Sequence, residues 1–265
     1  MLKKIILILN YSSIDVCIGV FSLMLPLGNL LSENPNISWY ILVPLSVLLV
    51  YFVDHFLDLK LNPSKIISHR HQFIQTNLKT IVLVSIVIVI LNAILSLLFF
   101  DYKIFKYGIG LTLIIGLYYF LNSISAKIIY KEFFAALIYS IGIILYPMCI
   151  QFEMAILQYG LLVFSIAFIN LIQNSLNEIN GDLKIETSSI AILGGEKISF
   201  SILYLLYIIL SVQLFYCGLN IQIKISFLLL MLIHAVFFFV FRNKNYRLIT
   251  EFSFWIPGII FLFFN

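Results

Sequence analysis

The chain is short of charge: charged residues make up 11% of its 265 residues, against about 25% in an ordinary soluble domain. Hydrophobic residues account for 62%, and the mean hydropathy is +1.10. A water-soluble fold could not cover that much apolar surface, so lipid is the expected solvent. Cysteine is scarce as well. Cys17, Cys149 and Cys217 lie far apart inside apolar stretches, with no spacing suited to zinc or a redox dithiol, and are expected to be packing residues. A continuous basic stripe is also missing. The net charge of +4 comes from residues scattered over short polar segments, which argues against a nucleic-acid partner. The first residues, Met1 to Leu9, pair two lysines with an apolar run, yet Asn10-Tyr11-Ser12-Ser13 offers no small-residue cleavage site. The N-terminus is therefore read as mature chain.

What the chain does have is a series of continuous apolar runs. About nine of them approach the length a bilayer requires, at roughly 13–31, 38–57, 79–100, 104–122, 130–150, 154–178, 198–217, 223–241 and 249–264. They lack the alternation of a membrane barrel strand, so they are read as helices, whose backbone groups bond within each segment. The expected fold is an all-α, polytopic bundle of about nine transmembrane helices, with residues 1–265 forming a single domain.

With the N-terminus inside, the inner connections hold Lys3, Lys4, Lys60, Lys65, Arg70, Lys79, Lys127, Lys131, Lys184, Lys197, Arg242, Lys244 and Arg247, thirteen of the sixteen basic residues. Only Lys103, Lys106 and Lys224 fall outside. The positive-inside rule then predicts a cytoplasmic N-terminus in an inner or plasma membrane. The two longest polar connections, about 58–78 and 179–197, share that inner side, and spans 2–3 and 6–7 have the same layout, a hint of internal duplication.

Both connections follow a span that ends in polar residues. Span 2 closes on Tyr51, Asp54, His55 and Asp58, which share one helical face. Two carboxylates on one face suit a hard cation such as Mg²⁺, which takes oxygen ligands and shares them with phosphate. Against this stands the ordinary reading, a helix end dipping into water. Span 6 closes on Asn170, Asn174, Asn177 and Gly181, with Glu178 beside the row and Asp182 just beyond it. An amide row of this kind can also serve as interhelical glue.

These two helix ends resemble the paired aspartate-rich motifs of the UbiA-type intramembrane prenyltransferases. The matching residues are Asp54-x-x-x-Asp58, and Glu178-x-x-x-Asp182 followed by Lys184, Thr187 and Leu193-Gly194-Gly195-Glu196-Lys197. The resemblance covers nearly the whole chain in helix layout, while its specific part is confined to the two motifs. It implies that Asp54, Asp58, Glu178 and Asp182 hold Mg²⁺ and act as catalytic residues on a prenyl diphosphate. A lipophilic acceptor then captures the allylic cation left when diphosphate departs. The chain departs from the family pattern at Val50-Tyr51, where Asn-Asp is usual, at Ser175, where an earlier Asp is usual, and at Glu178, which replaces an Asp.

Within that reading Lys65, His69, Arg70, His71 and Lys184 are expected near the diphosphate oxygens, since cationic side chains bind them well. Lys127 falls in the loose pattern Ser123-x-x-x-Lys127, where the family often has a basic residue. Asn174 and Asn177 would line the substrate site. Tyr51, Tyr118 and Tyr139 are named as rings that could face a cationic intermediate. Two rivals accompany the transferase: a terpene cyclase of the same fold, and a non-catalytic lipid-binding or transport bundle. Outside the site, His234 is expected to be a helix-contact residue, and Ser12-x-x-Asp15 reads as a helix cap.

Overall fold

The computed structural model describes residues 2–61, 69–124, 131–185, 189–241 and 246–264; within them the side chains of 2–4, 58–61, 69–71, 122–124, 178 and 180–185 fall outside the description. The elements are α1 (Leu2–Tyr11), α2 (Ile14–Gly28), α3 (Ile37–Leu61), α4 (His69–Thr76), α5 (Leu78–Phe99), α6 (Tyr102–Ile124), α7 (Lys131–Ile150), α8 (Met154–Ile185), α9 (Ile190–Leu193), α10 (Gly195–Tyr216), α11 (Ile221–Phe239), α12 (Tyr246–Ser253) and α13 (Ile256–Phe264). No strand occurs among the described residues. Among them, eight stretches are long and apolar enough to cross a bilayer, and α1 with α2, bent by 82°, forms a ninth candidate. The protein is an all-α, multi-pass membrane bundle, as the apolar runs predict.

The bundle is organised around α8, with 61% of its apolar window buried, against 6% for α5 and none for α6. It packs on α7, α9, α10 and α11, and Leu162, Val163, Ile166, Ile169 and Ile172 form its fully buried stripe. The approach to α7 is close because Gly160 has no side chain: a Cβ there would lie 2.6 Å from Ile144 Cδ1. Ser140 Oγ uses that closeness to donate to the Gly160 carbonyl at 2.6 Å. Small residues at such contacts are a general device where lipid removes the hydrophobic drive between helices. Conversely, α5 and α6 turn large side chains such as Leu83, Leu98, Leu113 and Phe120 outward, the arrangement expected when the surrounding solvent is hydrocarbon.

At one end of the bundle the connections are short: residues 100–101 join α5 to α6, and 151–153 join α7 to α8. They are fastened by side chains, with Ser32 Oγ donating to Gln151 Oε1 at 2.6 Å and Lys103 Nζ to the Cys149 carbonyl at 2.7 Å. At the opposite, polar end the helices α3, α6, α8 and α11 terminate.

Three local features differ from the sequence expectation. The N-terminal run is a helix of its own, α1, nearly perpendicular to α2. The last span is broken between α12 and α13. The Ser12 and Asp15 cap does not form: Ser12 Oγ donates back to the Ile8 carbonyl at 2.8 Å, and Ser13 turns the chain with φ 58°. Asp15 is instead buried and takes Asn10 Nδ2 at 2.6 Å, because the near-right-angle bend brings the last turn of α1 against the first turn of α2.

Candidate functional site

The polar end of α3 carries Tyr51 and Asp54, both half-buried, and His55, which is only 6% exposed. The Tyr51 and His55 rings lie 6.3 Å apart. The helix runs on to Leu61, beyond the apolar stretch that ends at Leu57, so Asp58 follows Asp54 by one turn of unbroken helix. The end of α6 is pinned to this region, since the Tyr119 hydroxyl donates to the Val50 carbonyl at 2.8 Å. Tyr118, half-buried, is tilted against Tyr119 with ring centroids 5.4 Å apart. Tyr139, on α7, is a partly buried ring packed against the main core.

On α8 the amide row is real but does not act as glue between helices at Asn174: its Nδ2 reaches Asn170 Oδ1 in the same helix at 3.5 Å, the outer limit of a hydrogen bond. Asn174 Oδ1 is buried and has no partner among the described residues. Asn177 is exposed. The helix then continues from its apolar stretch, ending at Asn177, to Ile185, so Glu178, Asp182 and Lys184 all ride on helical backbone.

α7 packs against both α3 and α8 and so lies between the two acid-bearing helices. α4, which carries Arg70 and His71, packs against α1 and α3, with Tyr11 and Phe73 rings 6.4 Å apart. The side chains of Asp58, Arg70, His71, Glu178, Asp182 and Lys184, and all of Lys65 and Lys127, lie outside the described residues. Of the four acids expected to hold Mg²⁺, Asp54 alone has a described side chain, and among the described residues no three His, Cys, Asp or Glu side chains gather. As a donor set, four carboxylates are the hard oxygen ligands that Mg²⁺ prefers.

Three buried polar groups at this end were not singled out from sequence. Glu132, at the start of α7, accepts Ser175 Oγ at 2.6 Å and the Ile190 backbone N–H at 3.1 Å on its Oε1. Gln173, fully buried on α8, receives Tyr246 Oη on Oε1, lies 3.0 Å by Oε1 from His234 Nδ1, and donates to Tyr207 Oη at 2.8 Å. His234 is thus a helix-contact residue. Asn10 Nδ2 also donates to Glu251 Oε2 at 2.5 Å, and Arg247 Nε meets Glu251 Oε1 at 2.8 Å. An acid at the start of an apolar run, as in Lys131-Glu132, was the one available signal; partners more than forty residues away gave none.

No family model, curated protein or solved structure matches the chain.

Proposed function

We propose that the protein is an intramembrane prenyltransferase, acting at the polar end of the bundle on a prenyl diphosphate and a lipophilic acceptor. The observation that carries this reading is the form of two helices. Both α3 and α8 leave their apolar stretches and continue as helix, giving Asp54 and Asp58, and Glu178 and Asp182, the i, i+4 spacing of one face. An Asp in hydrocarbon costs about 2.5–3.5 kcal/mol, and Asp54 is half-buried beside the buried His55 at the end of its apolar stretch. A transporter usually gathers such groups near the midplane, whereas these acids stand at one end.

Asp54, Asp58, Glu178 and Asp182 are the residues that would hold Mg²⁺, which when bound supplies charge neutralisation to the diphosphate. The chain's own cations, Lys65, Arg70, His71, Lys127 and Lys184, bind the diphosphate oxygens as its bond to the prenyl carbon breaks and the electron pair leaves with it. Asn174 and Asn177 orient the substrate, and Tyr51 and Tyr118 present ring faces to the allylic cation. The acceptor bonds to that carbon and gives up a proton. The thirteen-to-three split of basic residues supports a cytoplasmic position for this end.

The test is product analysis with geranylgeranyl diphosphate and a membrane lipid extract, with and without Mg²⁺. Mg²⁺-dependent prenylated product, lost in Asp54→Ala and Asp182→Ala but largely kept in His234→Ala, is the expected result. A cyclic hydrocarbon formed without acceptor would make it a cyclase, and an untouched substrate would leave a non-catalytic bundle.

A further inference from the structure

Glu132 is 2% exposed, yet only one of its carboxyl oxygens is accounted for. Oε1 takes both the Ser175 hydroxyl and the Ile190 N–H; Oε2 is buried and has no hydrogen-bond partner among the described residues. More than nine in ten buried polar groups in native proteins have a partner, and a buried carboxyl oxygen without one is costly. A missing partner is therefore the first reading of that oxygen.

The place of the carboxyl says what kind of partner. Ser175, Glu178 and Asp182 stand at i, i+3 and i+7 on α8, one face of one helix. By holding Ser175, Glu132 lies against the face that carries both acids, one turn nearer the bundle interior. Ser175 is also the position where this chain departs from the resembled acidic pattern. Helix-dipole stabilisation of the α7 N-terminus explains an acid there, but such an acid sits in water and has no cause to be buried. Fastening α9 explains Oε1 alone.

We propose that Glu132 is a further divalent-cation ligand, reaching from α7 to the acid face of α8 and supplying through Oε2 the carboxylate that position 175 does not have. This rests on the proposed function, of which it deepens the metal site.

Mn²⁺ alone, titrated onto the full chain in detergent and followed by the spectroscopic signal of the unbound ion, tests it without any turnover. Glu132→Gln keeps an acceptor for Ser175 and Ile190 and removes the charge. It should weaken Mn²⁺ by about tenfold or more, as loss of a ligand charge does, with the metal-free melting temperature held. Ser175→Asp in the Glu132→Gln background should restore most of the affinity, which a purely structural strap would not do. Should Glu132→Gln fail to fold, Ser175→Ala decides: relieved of one donor, the carboxylate should bind Mn²⁺ at least as tightly as in the wild type, and weaker binding overturns the proposal. Wild-type affinity in Glu132→Gln also overturns it. If that affinity falls in Asp54→Asn, the Glu132 assignment fails alone; a wild-type chain that binds neither Mn²⁺ nor prenyl diphosphate sinks the proposed function with it.

Discussion

Tyr51 is the residue at which the first acidic motif is thinnest. It stands one turn before Asp54 and His55, half-buried, its ring 6.3 Å from the His55 ring. A carboxylate there would add a hard oxygen ligand and a negative charge, and affinity for hard cations rises with ligand charge. Tyr51→Asp should therefore lower the Mg²⁺ concentration for half-maximal prenyl transfer by about two- to tenfold. Equal loss of turnover at every Mg²⁺ concentration would instead assign the ring to the prenyl chain or its cation. His234 is engaged within the bundle. Its ring is buried between Gln173 Oε1 at 3.0 Å and Ser253 Oγ at 3.4 Å, so its polar atoms face the protein's own groups.

Elements in this bundle meet where side chains are absent or small, and the join of α13 to α2 depends on that most closely. Gly258 N–H donates to Ser22 Oγ at 2.6 Å, and Ser22 Oγ in turn donates to the Trp255 carbonyl at 2.7 Å. Trp255 Nε1 then reaches the Asp15 carbonyl at 3.0 Å. The chain of bonds seats the last span on α2: the Trp255 carbonyl keeps its helical bond from the Ile259 N–H at 3.1 Å and takes the Ser22 hydroxyl as a second donor. A Cβ on Gly258 would lie 2.5 Å from Ser22 Oγ and 3.0 Å from its Cα. Overpacking of this kind costs about 1–3 kcal/mol. Gly258→Val is expected to lower the melting temperature in detergent, measured by loss of native fluorescence, while Gly108→Ala, with nothing within 4 Å of the added carbon, leaves it in place. Equal stability of both variants would mean that α13 does not dock through this glycine.

At the scale of the whole molecule, hydrophobic run length was enough to place the spans, because in lipid a helix is the unstrained answer to about twenty apolar residues. The α1 bend was not legible, since it is held by a contact made across the bundle, Asn10 to Glu251; the break before α13 had a local signal in Pro257, which has no N–H to give the Ser253 carbonyl, while the Ser22 to Trp255 contact that seats it had none. Of the site, the acid spacing on α3 and α8 was legible because it is local to one helix. Glu132 was not, because its partners Ser175 and Ile190 are 43 and 58 residues away, and an acid next to Lys131 looks like an ordinary interfacial residue. Orientation is the remaining expectation, drawn from the thirteen-to-three split of basic residues. Single cysteines at Ser68 and Ser188, in a chain with Cys17, Cys149 and Cys217 replaced by alanine, should resist an impermeant maleimide in intact cells and react after permeabilisation. Asp101→Cys, on the short-loop end, should label in intact cells. Labelling of Ser68→Cys and Ser188→Cys without permeabilisation, with Asp101→Cys protected, would invert the protein and move the acid-bearing end, and any chemistry on a cytoplasmic diphosphate, to the wrong side of the membrane.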